Sequence, residues 1–214
     1  MVQGGRVLAE LQGNPTLTHG ERLPGELIRT LDAAGVPLAN VDLLAVAAGP
    51  GSFTGLRVGI ASMQGLATAT GLRIVPVSAF EALARSAGAA ESPLAVWIDA
   101  QRGQVFAVLY DAAGARTLTE PSSLPPAETL AAWKALGVTG PIRFVGDGAI
   151  RYRNTVETEL GSALLLPEPP PLAGFVGLIA AAYPERAVLP HAVVPIYVRR
   201  PDAELARSRK MTRA

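Results

Sequence analysis

The sequence predicts an α/β fold made of two halves that repeat one order of elements. Three observations carry this. Residues 41–48 and 94–99 are almost wholly apolar, as strands buried on both faces of a sheet are. Helix-period apolar stripes alternate with such runs along the chain. With 49% apolar and 17% charged residues over 214 positions, a packed core is within reach and bulk disorder is excluded.

The elements follow in order. Gly4-Gly5 is a two-residue hairpin signal, and residues 6–11 alternate after it, with Val7, Ala9 and Leu11 on one face. Only Met1, Val2 and Gln3 precede the turn, too few for a full partner strand. A helix is predicted over 21–34, where Leu23, Leu27, Ile28 and Leu31 form a stripe, Pro24 sits in the first turn, and Gly35 and Pro37 end it. The strand at 41–48 runs into a tight loop, Gly49-Pro50-Gly51-Ser52-Phe53-Thr54-Gly55. Helix 55–70 follows, closed by Gly71. Residues 72–77 read as a strand, and Ser78 with Glu81 three residues on is a capping box opening the next helix. Ser92-Pro93 marks a junction.

The second half reads as strands at 94–99, 104–110 and 115–120, a helix at 126–136, a strand at 142–146, a helix at 148–160 and a strand at 163–166. A Pro-rich connector spans 167–171, an apolar helix 173–183 and a final strand 193–198. Its order is βββαβαβα, and the first half repeats that order with its opening elements cut away. Two such tandem units predict a duplicated ribonuclease-H-like, actin-like (ASKHA) two-lobed fold whose first lobe lacks its opening strand. The lobes are expected at 1–92 and 93–198, with a basic tail at 199–214 for which helix is one reading.

Net charge is +1, which argues against a broadly basic nucleic-acid binder. The tail is uneven, however, with six Lys and Arg against two acids at 199–214. It either touches phosphates through counterion release or is simply a solvated end. Cys is absent and only His19 and His191 occur, so thiolate chemistry is excluded and a multi-His metal site disfavoured. No apolar run nears the roughly 20 residues that span a bilayer, and the first residues do not read as a secretory leader. A cytoplasmic protein without a cofactor or resident metal is expected.

The loop at 49–55 departs from three phosphate and nucleophile motifs. It lacks the P-loop Lys, because Leu56-Arg57 stand there; Thr54 fills the third glycine of a dinucleotide fingerprint; and Pro50 and Thr54 replace the glycines of a nucleophile elbow. What remains is a plain strand-to-helix turn or a weak anion or nucleotide loop at Gly49, Gly51, Ser52 and Thr54. Helix 55–70 has Arg57 as its only charge and apolar or small residues all round, so it must bury more than one face. The second face is covered either by helix 21–34 or by another subunit. Asp99 and Asp147 could hold a cation or orient a phosphate, but each also fits a turn. His19 has no second His four residues on and reads as a cap or surface residue.

The string Ala47-Ala48-Gly49-Pro50-Gly51-Ser52-Phe53-Thr54-Gly55-Leu56-Arg57-Val58-Gly59 resembles the signature of the TsaB (YeaZ) family. The resemblance extends through His19-Gly20-Glu21, residues 71–84, residues 99–105 and residues 195–199, and is loose between 110 and 190. It implies a non-catalytic scaffold that binds and activates a TsaD-like subunit, which transfers threonylcarbamoyl to the tRNA adenosine beside the anticodon. A TsaE-like ATPase joins them, a homodimer is the other assembly, and tRNA is met indirectly or through the basic tail. Helices 21–34 and 55–70 would form the contact, with Leu23, Leu27, Leu31, Leu56, Ile60 and Met63 as partner-binding residues and no catalytic residue. Family members open with an apolar strand ending in Asp-Thr-Ser or similar, whereas this chain begins inside the next strand. About 15–20 further residues would complete the pair. The rivals are an active actin-fold kinase or ATPase, which needs two or more metal carboxylates, and a metal-dependent peptidase, which needs a ligand pair.

Overall fold

A computed structural model describes residues 1–13, 19–138, 140–161 and 163–199. The chain opens in a minimal hairpin. β1 (Val2–Gln3) and β2 (Arg6–Val7) pair antiparallel around Gly4 and Gly5, whose φ values of 55° and 74° suit the two-residue turn. α1 (His19–Ala34) starts two residues before the predicted bound, which places Pro24 inside the helix. β3 (Leu44–Gly49), α2 (Phe53–Thr70), β4 (Ile74–Ser78) and α3 (Ala79–Ala87) follow. β3 and β4 form a parallel two-stranded sheet with Leu44 opposite Ile74. Ser78 caps α3, its hydroxyl accepting from the Phe80 N–H at 3.2 Å.

The second sheet has five strands in the order β7-β6-β5-β8-β9. β5 (Leu94–Asp99) is central, antiparallel to β6 (Val105–Tyr110) and parallel to β8 (Arg143–Val145). β7 (Ser122–Leu124) and β9 (Leu164–Leu165) are its edges. α4 (Pro126–Ala135), α5 (Asp147–Arg151) and α6 (Arg153–Leu160) intervene. Trp97 is fully buried, edge-on to Phe144 with ring centroids 5.2 Å apart. Arg143 is buried too, and its guanidinium donates to the carbonyls of Ala87, Gly88 and Ala112.

Three expectations need correction. The strand placed at 115–120 lies instead at Ser122–Leu124. Residues 115–120 make a single bridge to β6, Thr117 opposite Tyr110, because side chains take neighbouring backbone groups. Thr119 Oγ1 takes the Leu109 N–H at 3.0 Å, and the Asp111 carboxylate takes those of Ala115 and Arg116. Helix 148–160 is broken at Tyr152, whose φ of −106° and ψ of 26° leave the helical region. A helix from the half expected at 93–198 packs on the half expected at 1–92. α7 (Ala173–Ala182) leaves the second sheet and lies on β1, β2, β3, β4 and α3. There Val176, Ile179 and Ala180 close a core with Val75, Val77 and Ala82. The segment 193–198 is not a strand of either sheet. Val193 packs with the β3–α2 core, and the Ile196 N–H donates to the Ala48 carbonyl at 2.7 Å. The rest of the basic tail, from residue 200, lies outside the described residues.

The Asp111 turn gives a test. N–H groups from Ala115 and Arg116 hold its carboxyl below the ordinary carboxylate value. A depressed pKa contributes stability above the unfolded value and loses it as pH falls through the folded one. Asp111→Asn should therefore lower the melting temperature at neutral pH. The gap from wild type should close once the pH falls below the lowered value. A gap that persists in strong acid would show that charge is not the cause.

Candidate functional site

The two helices singled out from the sequence lie against each other, with α2 also packed on β3. α2 spends its large apolar residues on that sheet. Ile60 and Met63 are 4% and 7% exposed and join Leu44, Val46, Ala67 and Ile74 in one core, against which Leu27 packs. Leu23, Leu31 and Leu56 are half-buried along an inner groove. Of the six positions expected to meet a partner, Ile60 and Met63 are thus buried in the chain's own core, and Leu23, Leu27, Leu31 and Leu56 are half-buried. Gly, Ala, Ser and Thr made α2 look apolar all round, but its buried residues, Ile60, Met63 and Ala67, occupy one arc, with Leu56 beside them.

The outward stripe of α2 is Phe53, Arg57, Ala61, Gly65 and Thr68, small apart from its first two members. On α1 the outward residues include Pro24, Gly25 and Ile28, and Ile28 is 61% exposed. Small residues let an approaching helix come close, and an unburied Ile offers the apolar anchor.

One cluster at the head of this stripe escaped the sequence reading. Phe53 and Tyr197 stack with centroids 5.5 Å apart and planes at 27°. The Arg57 guanidinium sits 4.0 Å from the Phe53 centroid, and its Nε–H donates to the Tyr197 hydroxyl at 3.2 Å. The i, i+4 spacing of Phe53 and Arg57 was visible. Tyr197, 140 residues away, carried no local signal.

The glycine loop does structural work at two of its four singled-out positions. Gly49 has φ of +118°, and a Cβ there would lie 2.6 Å from the Ile196 carbonyl oxygen. Ser52 caps α2, its Oγ accepting from the Gly55 N–H at 3.4 Å. Gly51 is half-buried and Thr54 exposed. Ser52→Ala should cost about 1 kcal/mol in urea unfolding, the usual value of an N-cap. No loss would mean that the hydroxyl has another role.

The carboxylates Asp99 and Asp147 are brought together but are engaged. Asp147 Oδ1 accepts the N–H groups of Asp99 at 3.0 Å and Gly148 at 2.8 Å. Asp99 Oδ2 pairs with Arg151 Nη1 at 3.0 Å, and its Oδ1 accepts the Gln101 N–H at 3.0 Å. His19 is the first residue of α1, and His191 lies in a short turn of 3-10 helix, Pro190–Ala192. Among the described residues, no group of three or more His, Cys, Asp or Glu is placed to hold a metal ion, and no helix is long and apolar enough to cross a membrane.

Residues 15–206 match the family model described as TsaD, tRNA N6-adenosine threonylcarbamoyltransferase. The Bacillus subtilis tRNA threonylcarbamoyladenosine biosynthesis protein TsaB is 28% identical over 211 residues, covering 92% of this chain and 87% of that protein. The Haemophilus influenzae protein of the same name is 40% identical over 92 residues, 42% of this chain and 39% of its own length. Among solved structures, YeaZ from Pseudomonas aeruginosa superposes with a TM-score of 0.67 at 30% identity and covers 84% of each chain.

Proposed function

Since the chain belongs to the TsaD family, in its TsaB (YeaZ) branch, we propose that it serves threonylcarbamoyladenosine formation in tRNA as the partner subunit of a TsaD-type transferase. The observation that carries this is the outer face of α1 and α2, smooth along Ala61, Gly65 and Thr68 and anchored by Ile28, Phe53 and Arg57. Such a face suits helix-on-helix docking. The chain itself performs no transfer. Its role is to hold the transferase in a competent state through that face, with a TsaE-type ATPase joining the same assembly. Without the transferase, a second copy takes the face. The basic tail adds a salt-sensitive contact to tRNA phosphates.

The engagement of Asp99 by Arg151 and of Asp147 by two backbone N–H groups supports a structural rather than catalytic use of these acids. Titration of the purified chain against its TsaD-type subunit tests the reading, with analysis of bulk tRNA nucleosides after the chain is depleted. Binding and a fall in threonylcarbamoyladenosine are expected. Absence of both would overturn it. Mg²⁺-dependent ATP turnover by the chain alone that vanishes in Asp99→Asn would replace it with an enzyme.

A further inference from the structure

The head of α2 holds a charge that is fixed in place and has no counter-ion among the described residues. Arg57 is the only charged residue between Phe53 and Thr70. Its guanidinium lies 4.0 Å from the Phe53 ring centroid, and its Nε–H donates to the Tyr197 hydroxyl at 3.2 Å. A guanidinium carries a fork of N–H donors, and this one spends only Nε–H inside the chain. The N–H groups of Nη1 and Nη2 have no partner among the described residues.

The mounting of this charge is rigid, because Tyr197 belongs to a segment held on both sides. Before it, the Ile196 N–H donates to the Ala48 carbonyl at 2.7 Å, where Gly49 leaves room for the approach. After it, Val198 packs on the core of Phe80, Val96 and Phe106, and Arg199 Nη1 donates to Gln104 Oε1 at 2.9 Å. The phenol is thereby kept in place, with Phe53 stacked on it. An arginine that is free to move loses rotamer entropy on binding. One already held by a ring and a hydroxyl has little left to lose.

Chemistry selects the ligand. A planar fork of N–H donors matches the two oxygens of a carboxylate, and the N-terminal end of α2 adds to the positive field. A nucleic-acid backbone needs several basic groups in a row, whereas α2 has one, on a face it shares with Ile28, Ala61, Gly65 and Thr68. Arginine and tyrosine beside apolar contacts are the residue types that dominate binding between proteins.

We infer that Arg57 is the receptor for a carboxylate of the TsaD-type subunit: an Asp or Glu side chain of the transferase seats on Nη1 and Nη2, and Tyr197 is the positioning residue that aims the fork. The inference rests on the proposed function for the identity of the partner and adds the chemistry that the partner must present. Phe53 and Tyr197 are 40% and 39% exposed in the free chain. Docking covers both rings, which then wall the ion pair from water.

The test is titration of the full chain and its variants against the TsaD-type subunit, with a thermal melt of each variant to show that it is folded. Arg57→Gln should weaken binding by about thirtyfold or more, the loss expected when one member of a buried ion pair is removed. Arg57→Lys keeps the charge but not the fork and should lose about tenfold. Tyr197→Phe keeps the stack and removes the hydroxyl. It should weaken binding by about threefold in the wild-type chain and have no further effect in Arg57→Gln, since it acts through the guanidinium. Arg57→Glu should lose binding, and arginine in place of one acid on the transferase surface should restore it. Wild-type affinity in Arg57→Gln, or failure of every such replacement to rescue Arg57→Glu, would overturn the inference. So would a loss confined to self-association or to tRNA binding. Ile28→Asp, measured alongside, separates this inference from the reading it rests on. If Ile28→Asp abolishes binding and Arg57→Gln does not, the docking face stands and the carboxylate does not. If neither weakens binding, the face itself is misplaced.

Discussion

Ile28→Asp is expected to abolish co-elution with the TsaD-type subunit while leaving the cooperative melt of the chain unchanged. Ile28 is 61% exposed on α1, so a carboxylate there stays in water in the free subunit. In the complex it would be buried without a partner, costing about 3 kcal/mol or more, roughly a hundredfold in Kd. Ile60→Asp should behave oppositely. Ile60 is buried against Leu44, Val46 and Ile74, and its charged replacement should unfold the first sheet whether or not a partner is present. The pair separates surface from core. Full binding by a folded Ile28→Asp would place the contact elsewhere.

Gly146→Ala should be the most damaging single-methyl change. Gly146 links β8 to α5 with φ of +109°, and a Cβ there would overlap the Trp97 carbonyl oxygen in the neighbouring central strand. The obstacle is backbone, not the end of a flexible side chain, so the strand pair itself must part. The backbone conformation adds its own cost to the overlap. A loss above about 3 kcal/mol in urea unfolding is expected, the range reserved for a few such mechanisms. Gly148, whose Cβ would lie 2.8 Å from the Ile98 carbonyl carbon, should show the same sign. An unchanged midpoint would mean the β8–α5 turn can slide away from β5.

Much of this was legible in the sequence because it was local. Ser78 and Glu81 announced α3, Gly71 closed α2, and the apolar run 94–99 became the central strand of the larger sheet. The glycine-rich string at 49–55 pointed to the family through residue identity. Other features depended on contacts between distant positions. Nothing in residues 173–182 says which sheet they cover, since a helix apolar on most sides fits either. Their place was decided by Val75 and Val77 meeting Val176 and Ile179. Tyr197 reaches Phe53 only through folding. The burial of Ile60 and Met63 was hidden for a related reason. Periodicity located the apolar arc of α2, but an arc can face inward or outward, and only the position of β3 told which.

The return of α7 and of the 193–199 segment has a consequence for synthesis on the ribosome. β4 ends at Ser78, but the helix that covers it begins at Ala173. At about 5–20 residues per second, the nascent chain waits on the order of 5–20 s before Val75 and Val77 can be covered. The segment closing the β3–α2 side emerges later still: Val193 enters its core and Tyr197 stacks on Phe53. Residues 94–165 hold every strand of the larger sheet and can fold in the meantime. The order of maturation therefore inverts the order of translation. Arrested chains ending near residue 165 should carry a protease-resistant second half, with a first half that needs a chaperone to stay soluble.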